Sequence, residues 1–288
     1  MKEMLEKIKS MIVHAGNSHL DEAMALAIVI AKKAIEMGVG ALNAIHGLHG
    51  KVFRRDPTPE EIDDPTVFVA DVGKVYDPDK LCFDHHQFPR GDERSAMGLV
   101  ADWCGLREFL DKVYPWFSTR VRLDAIGPFA TAKAAGTTWD VIQAFMGPGE
   151  QNMLKRFEAN PLEVATELAD DIVCKYWAYR DVETRLYDYK DLPVPVRSFA
   201  LCADSAEIVG SAFYLDEGIS IFKDKRGDGL AFLRMKDDPR VDFRLVAERT
   251  DLKQFTGFIH PNGFYMTITS GGDVPTFVKA AMTGKDKE

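Results

Sequence analysis

Two short stretches gather the side chains able to do metal and proton chemistry. The first is His14-x-x-x-x-His19-x-Asp21, and the second is Asp71 followed by Asp84-His85-His86. Mixed imidazole and carboxylate donors suit a borderline-hard divalent ion such as Mn²⁺, Zn²⁺ or Fe²⁺. One carboxylate set between two such ions about 3.5–4 Å apart can bridge them, and the pair can activate water for attack on phosphorus. Adjacent residues of an extended chain point to opposite sides. His85 and His86 are therefore expected to divide the work, one as ligand and one toward substrate. His46 and His49 read as structural.

The elements that must position these residues are short. Residues 11–13 and 67–70 are apolar runs rich in β-branched residues, the second ending at Asp71, and residues 51–55 and 81–83 suggest two further strands. Each chemical cluster then falls at a strand end, which is where an open α/β sheet builds its site. An Ala/Ile/Leu-rich stretch at 23–37 predicts a helix packed on the sheet, with Gly38 as its stop. Residues 56–61 predict an exit turn and a short helix start, and Asp77-Pro78-Asp79 another turn. This alternation predicts a parallel sheet with helices on both faces.

Helices are expected over 95–103, 106–117, 119–126, 138–145 and 161–187. The prolines at 193 and 195 forbid helix and suggest a boundary. Strands are then expected at 197–202, 219–224, 229–235, 241–246 and 257–260, with helices at 205–214 and 274–282 and a frayed end from 284. The expected class is α/β: a metal-binding domain over 1–127, a helical connector over 128–190 and a smaller α+β domain over 191–288.

The chain has 288 residues and a net charge of −9, which argues against a general DNA-coating protein, since that activity rests on neutralising phosphates with Lys and Arg. Four cysteines at 82, 104, 174 and 202 show no paired spacing and fit reduced thiols. The N-terminus lacks the apolar core of a signal peptide, and no apolar run approaches the roughly 20 residues needed to cross a bilayer. A cytoplasmic protein without a membrane partner is expected.

The motifs resemble those of the DHH phosphoesterase superfamily. They come closest to its melanocyte-proliferating-gene branch of predicted metal-dependent hydrolases and exonucleases. His14-Ala-Gly16-Asn-Ser-His19-Leu-Asp21-Glu22 is similar to that branch's His-x-Gly-x-x-His-x-Asp-Glu pattern. Asp71-Val-Gly-Lys-Val-Tyr-Asp-Pro78 and Phe83-Asp-His-His-Gln87 are similar to its next two motifs, and weaker similarity runs through Asp124 to the segment Gly257-Phe-Ile-His260-Pro-Asn-Gly263-Phe264.

The resemblance implies two divalent ions, expected to be Mn²⁺ with Zn²⁺ or Fe²⁺ as alternatives. It implies His14, His19 and Asp71 around one ion, and Asp21, Asp71, His85 and Asp124 around the other. His86 would contact the scissile phosphate and Asp84 would orient His85. His260 would contact substrate. Arg54, Arg90 and Arg120, with Arg55, Arg94 and Arg122 beside them, are candidates for binding phosphate because a guanidinium matches phosphate oxygens. The implied activity is phosphodiester hydrolysis on a nucleotide or short single-stranded nucleic acid, with a homodimer as the expected assembly.

Two departures stand out. Asp124 is followed by Ala-Ile-Gly-Pro where the family runs Ala-Ile-Asp-Asn-Gly, and Phe264 is followed by Tyr-Met-Thr-Ile with no Gly-Gly-His. A degenerate member that binds metal or nucleotide without turnover is the competing expectation.

Overall fold

The computed structural model describes residues 2–17, 19–48, 51–144 and 148–283. His49, Phe145 and the chain end from 284, named above, lie outside them. The chain divides into two compact units, Met1–Tyr176 and Trp177–Glu288.

In the first unit α1 (Lys2–Lys7) leads into β1 (Ser10–Val13), α2 (Leu20–Met37), α3 (Ala41–Ala44) and β2 (Val52–Arg54). Then come α4 (Pro59–Asp63), β3 (Val67–Ala70), β4 (Tyr76–Asp77) and β5 (Cys82–Phe83). The strands form one sheet in the order β2-β1-β3-β5-β4, parallel except for β4 at the edge. β3 is buried along its whole length, because both faces of a parallel sheet are covered and its residues alternate between them. Ile12, Val67, Val69 and Cys82 pack with Ile62 of α4. On the other face the Phe68 and Phe83 rings stand 5.5 Å apart, and Phe83 meets Trp103 at 5.1 Å.

α2 is buried from Asp21 through Ala31, and its small alanines let it lie close against its neighbours. Gly38 ends it in the left-handed conformation (φ 67°), where its N–H reaches back to the last turn. Helices follow as α5 (Ala96–Trp103), α6 (Arg107–Val113), α7 (Phe117–Ile126), α8 (Pro128–Ala134), α9 (Trp139–Ala144), α10 (Pro148–Ala159) and α11 (Pro161–Arg185).

The second unit holds β6 (Tyr187–Tyr189), β7 (Val196–Ser198), α12 (Ala203–Val209), β8 (Gly218–Lys223), β9 (Leu230–Met235), β10 (Thr256–Ile259), β11 (Tyr265–Ile268) and α13 (Val274–Ala280). Its sheet runs β10-β11-β9-β8-β7-β6, with β7 and β8 the parallel pair. The two prolines lie between paired strands β6 and β7, inside this unit. One strand expectation fails. Residues 243–248 form a 3₁₀ turn because the Asp242 carboxylate accepts from the Arg244 amide at 2.9 Å, and three-residue spacing buries Phe243 and Val246 together. Among the described residues no helix is long and apolar enough to cross a membrane.

Candidate metal centre

The carboxyl ends of β1, β3 and β5 bring the two clusters together. The β3 ladder continues one step past Ala70: the Asp71 amide donates to the Phe83 carbonyl at 3.1 Å, and the chain then turns with Asp71 at φ 59°. Only a few side chains tolerate that left-handed region, and Asp is among them. The turn through Gly73 is held by the Asp84 carboxylate, which accepts from the Lys74 amide at 2.6 Å.

Three overlapping groups result, each with ligand atoms within 4.8 Å of one another: Asp71, His85 and His86; Asp21, Asp71, His85 and Asp124; His19, Glu22 and Asp71. Asp71 belongs to all three. His85 Nε2 stands 2.9 Å from Asp124 Oδ2 and 3.3 Å from Asp71 Oδ1, and His19 Nδ1 4.0 Å from Asp124 Oδ1. A cleft of about 310 Å³ opens on this cluster, with His19, His86, Arg90 and Asp124 on its walls. A second hollow of about 260 Å³ shares His19 and Asp124 and reaches Asp21, Arg120 and Glu150.

Electrostatics set the cluster apart. Burial first, and then repulsion from Asp124 and Asp71, push the Asp21 carboxyl well above its usual range. Burial and the nearby Asp71 push Glu22 up to about 9, although the His19 amide and Arg54 act the other way. Burial disfavours a charged His85, but the close Asp124 and Asp71 carboxylates, with Asp21 beyond them, outweigh it and raise the imidazole to about 10. Burial also opposes ionisation of Asp84, yet the His86 and Lys74 amides and the His86 ring hold it below the ordinary carboxylate value.

Glu22 Oε1 and Oε2, Asp71 Oδ1 and His85 Nε2 are buried without a partner in hydrogen-bond geometry, so the short His85–carboxylate distances are contacts without alignment. A first-turn position in α2 favours an acid by only about 0.3–1 kcal/mol. Burying an unpaired charge costs several-fold more. Four acids stand together here, and two of them, Glu22 and Asp71, keep buried oxygens without a donor; that fits a divalent cation, and the oxygen and imidazole donor set is of the right kind.

The sequence-predicted residues separate on inspection. Asp21 is drawn to the start of α5, where it accepts from Ser95 Oγ at 2.5 Å and from the Ala96 and Met97 amides at 2.7 and 3.0 Å. His14 joins none of the three groups among the described residues. Its Nδ1 accepts the Gly16 amide at 3.1 Å, and a Cβ at Gly16 would meet its ring at 2.4 Å. The expected opposed facing of His85 and His86 is wrong. The strand ends at Phe83 and a turn follows, so the rings lie 4.5 Å apart and both face Asp71, with His86 Nδ1 at 3.7 Å. Asp84 accordingly orients His86 and not His85: its Oδ1 meets His86 Nδ1 at 2.7 Å and accepts the His86 amide at 2.9 Å.

The arginines fall into different surroundings. Arg54 donates to the Gly16 carbonyl at 2.6 Å and stands 3.8 Å from Glu22. Arg120 is buried and paired with Glu150. Arg55, Arg94 and Arg122 pair with Glu61, Asp92 and Glu93. Arg90 sits on the cleft rim. His260, in the second unit, accepts the Asn262 amide and lies tilted against Phe264, ring centroids 4.2 Å apart. Sequence reasoning missed Glu22 as a site residue, although its spacing of three from His19 puts both on one side of a helix start.

A family described as MYG1_exonuc, Uncharacterised protein family (UPF0160), matches residues 10–100. That segment is about a third of the chain and contains every member of the three groups except Asp124. No curated protein and no solved structure is detectably similar to the chain.

Proposed function

We propose that the chain is a metal-dependent phosphoesterase of the DHH type, cleaving phosphodiester bonds of a nucleotide or short single-stranded nucleic acid. The observation that carries the reading is Asp71, one buried carboxylate shared by three His/carboxylate groups, with its Oδ1, His85 Nε2 and both Glu22 oxygens buried without a hydrogen-bond partner. The exonuclease-type name of the matched family supports it further.

Asp21, Asp71, His85 and Asp124 would hold one ion, and Asp71 with His19 would hold a second, Mn²⁺ being the expected metal. Bound there, the metal supplies Lewis-acid polarisation of the phosphoryl group and offsets the charge that develops on it. The chain's own side chains supply the rest. Asp84 accepts from His86 Nδ1, so the imidazolium form presents Nε2–H to the cleft as a donor to a phosphate oxygen. His86 is half exposed, as a residue that meets substrate must be. Arg90, with no ion-pair partner among the described residues, is available on the rim to take a second phosphate oxygen.

The test is turnover by purified protein with Mn²⁺ against dinucleotides, short RNA and short DNA, run beside His86→Ala. Cleavage that needs Mn²⁺ and falls in the variant supports the reading. Metal binding with no cleavage of any phosphodiester would instead make the chain a binding module.

A further inference from the structure

We propose that Glu22 is a ligand of this metal centre on its His19 side, the place that sequence similarity gives to His14. The inference rests on the metal-dependent reading above. Glu22 is fully buried in the first turn of α2, and neither carboxylate oxygen has a hydrogen-bond donor. Two structural explanations for such an acid fail on geometry. At this spacing a helix-start glutamate closes a capping box by accepting the amide three residues before it; the His19 amide lies near the Glu22 carboxylate but outside hydrogen-bond geometry, so the box does not close. A buried Glu–Arg pair would be short and two-pronged. Instead Arg54 Nη2 stands 3.8 Å away and donates to the Gly16 carbonyl, and Arg54 Nε is also without an acceptor.

Glu22 does meet the requirements of a ligand. Its carboxylate lies within 4.8 Å of ligand atoms of both His19 and Asp71. His14 does not meet them. With Nδ1 accepting the Gly16 amide, a neutral imidazole carries its proton on Nε2 and has no lone pair left for a metal. His14 instead shapes the turn that leads to His19, its ring 6.2 Å from that of His19.

The experiment measures Mn²⁺ binding by calorimetry and the melting temperature with EDTA or excess Mn²⁺, on wild type, Glu22→Gln and His14→Ala. If Glu22 is a ligand, Glu22→Gln weakens Mn²⁺ binding by about 10–100-fold, the scale seen when metal-site residues are lost. Its melting temperature in EDTA rises, because an unpaired buried acid is gone, while its rise with Mn²⁺ shrinks. His14→Ala keeps wild-type affinity within about threefold. Glu22→Gln with wild-type affinity, an intact Mn²⁺-induced rise and a lower melting temperature in EDTA would overturn the proposal in favour of a structural role. Wild type that neither binds Mn²⁺ nor is stabilised by it would overturn the metal reading itself. Should Glu22→Gln not fold, Glu22→Asp decides: weakened binding supports ligation, and unchanged binding contradicts it.

Discussion

The backbone at Asp71 is held at φ 59°, which for a side chain other than glycine costs on the order of 1–2 kcal/mol. The strain aims one carboxylate at three groups, and it determines how the residue should be tested. Asp71→Ala adds backbone strain to the lost charge, whereas Asp71→Asn keeps a residue that tolerates this conformation. His85 and His86 should fail differently although both face Asp71. His85→Ala should lose metal and activity together. His86→Ala should keep its metal while the chemical step slows by about 10²–10³, and Asp84→Asn should slow it less by leaving the His86 ring without its anchor. Metal content and single-turnover rate on the three variants check this, and equal metal loss in His85→Ala and His86→Ala would refute the division.

The metal-free protein should also lose stability as pH rises. Folding raises His85 from 6.5 to about 10 and Glu22 from 4.5 to about 9. Between pH about 6.5 and 9 the folded chain therefore holds protons that the unfolded chain has released. His85's contribution is complete below about 6.5 and fades toward about 10, and Glu22's burial is increasingly penalised toward about 9. Each group contributes a slope of at most about 1.4 kcal/mol per pH unit. Urea midpoints in EDTA should fall across that window, and a flat or rising midpoint would contradict the account.

At the scale of elements, the apolar runs at β1 and β3 and the alanine-rich α2 were legible because each carries a continuous period or run. The two-residue strands β4 and β5 carry no period to read, so the turn after Phe83 and the facing of the two histidines were not. The helix α10 was not among the expected elements, although proline fits the first turn where Pro148 opens it. Least legible are contacts between distant segments. Nothing near Asp21 in sequence announces that it would accept three hydrogen bonds at the start of α5, or that Glu22 beside it would have no donor. Asp21→Ala would leave those three donors without an acceptor and should lower stability by about 2 kcal/mol or more. Asp21→Asn, which keeps one acceptor, should cost less. Urea unfolding in EDTA measures both, and equal stability of Asp21→Ala and wild type would remove α5 anchoring from its role.

For the whole molecule, a net charge of −9 and a cluster of four acids, three of them buried, mean that folding and cation binding should be linked. A cation at a hundred times its dissociation constant would stabilise the native chain by about 2.7 kcal/mol. The most direct measurement is Mn²⁺ bound per chain at equilibrium, on wild type and Asp71→Asn after removal of prior metal. The account predicts up to two ions on wild type, a clear loss of stoichiometry or affinity in Asp71→Asn, and a variant that stays folded without metal. Equal binding by the two folded proteins would contradict it.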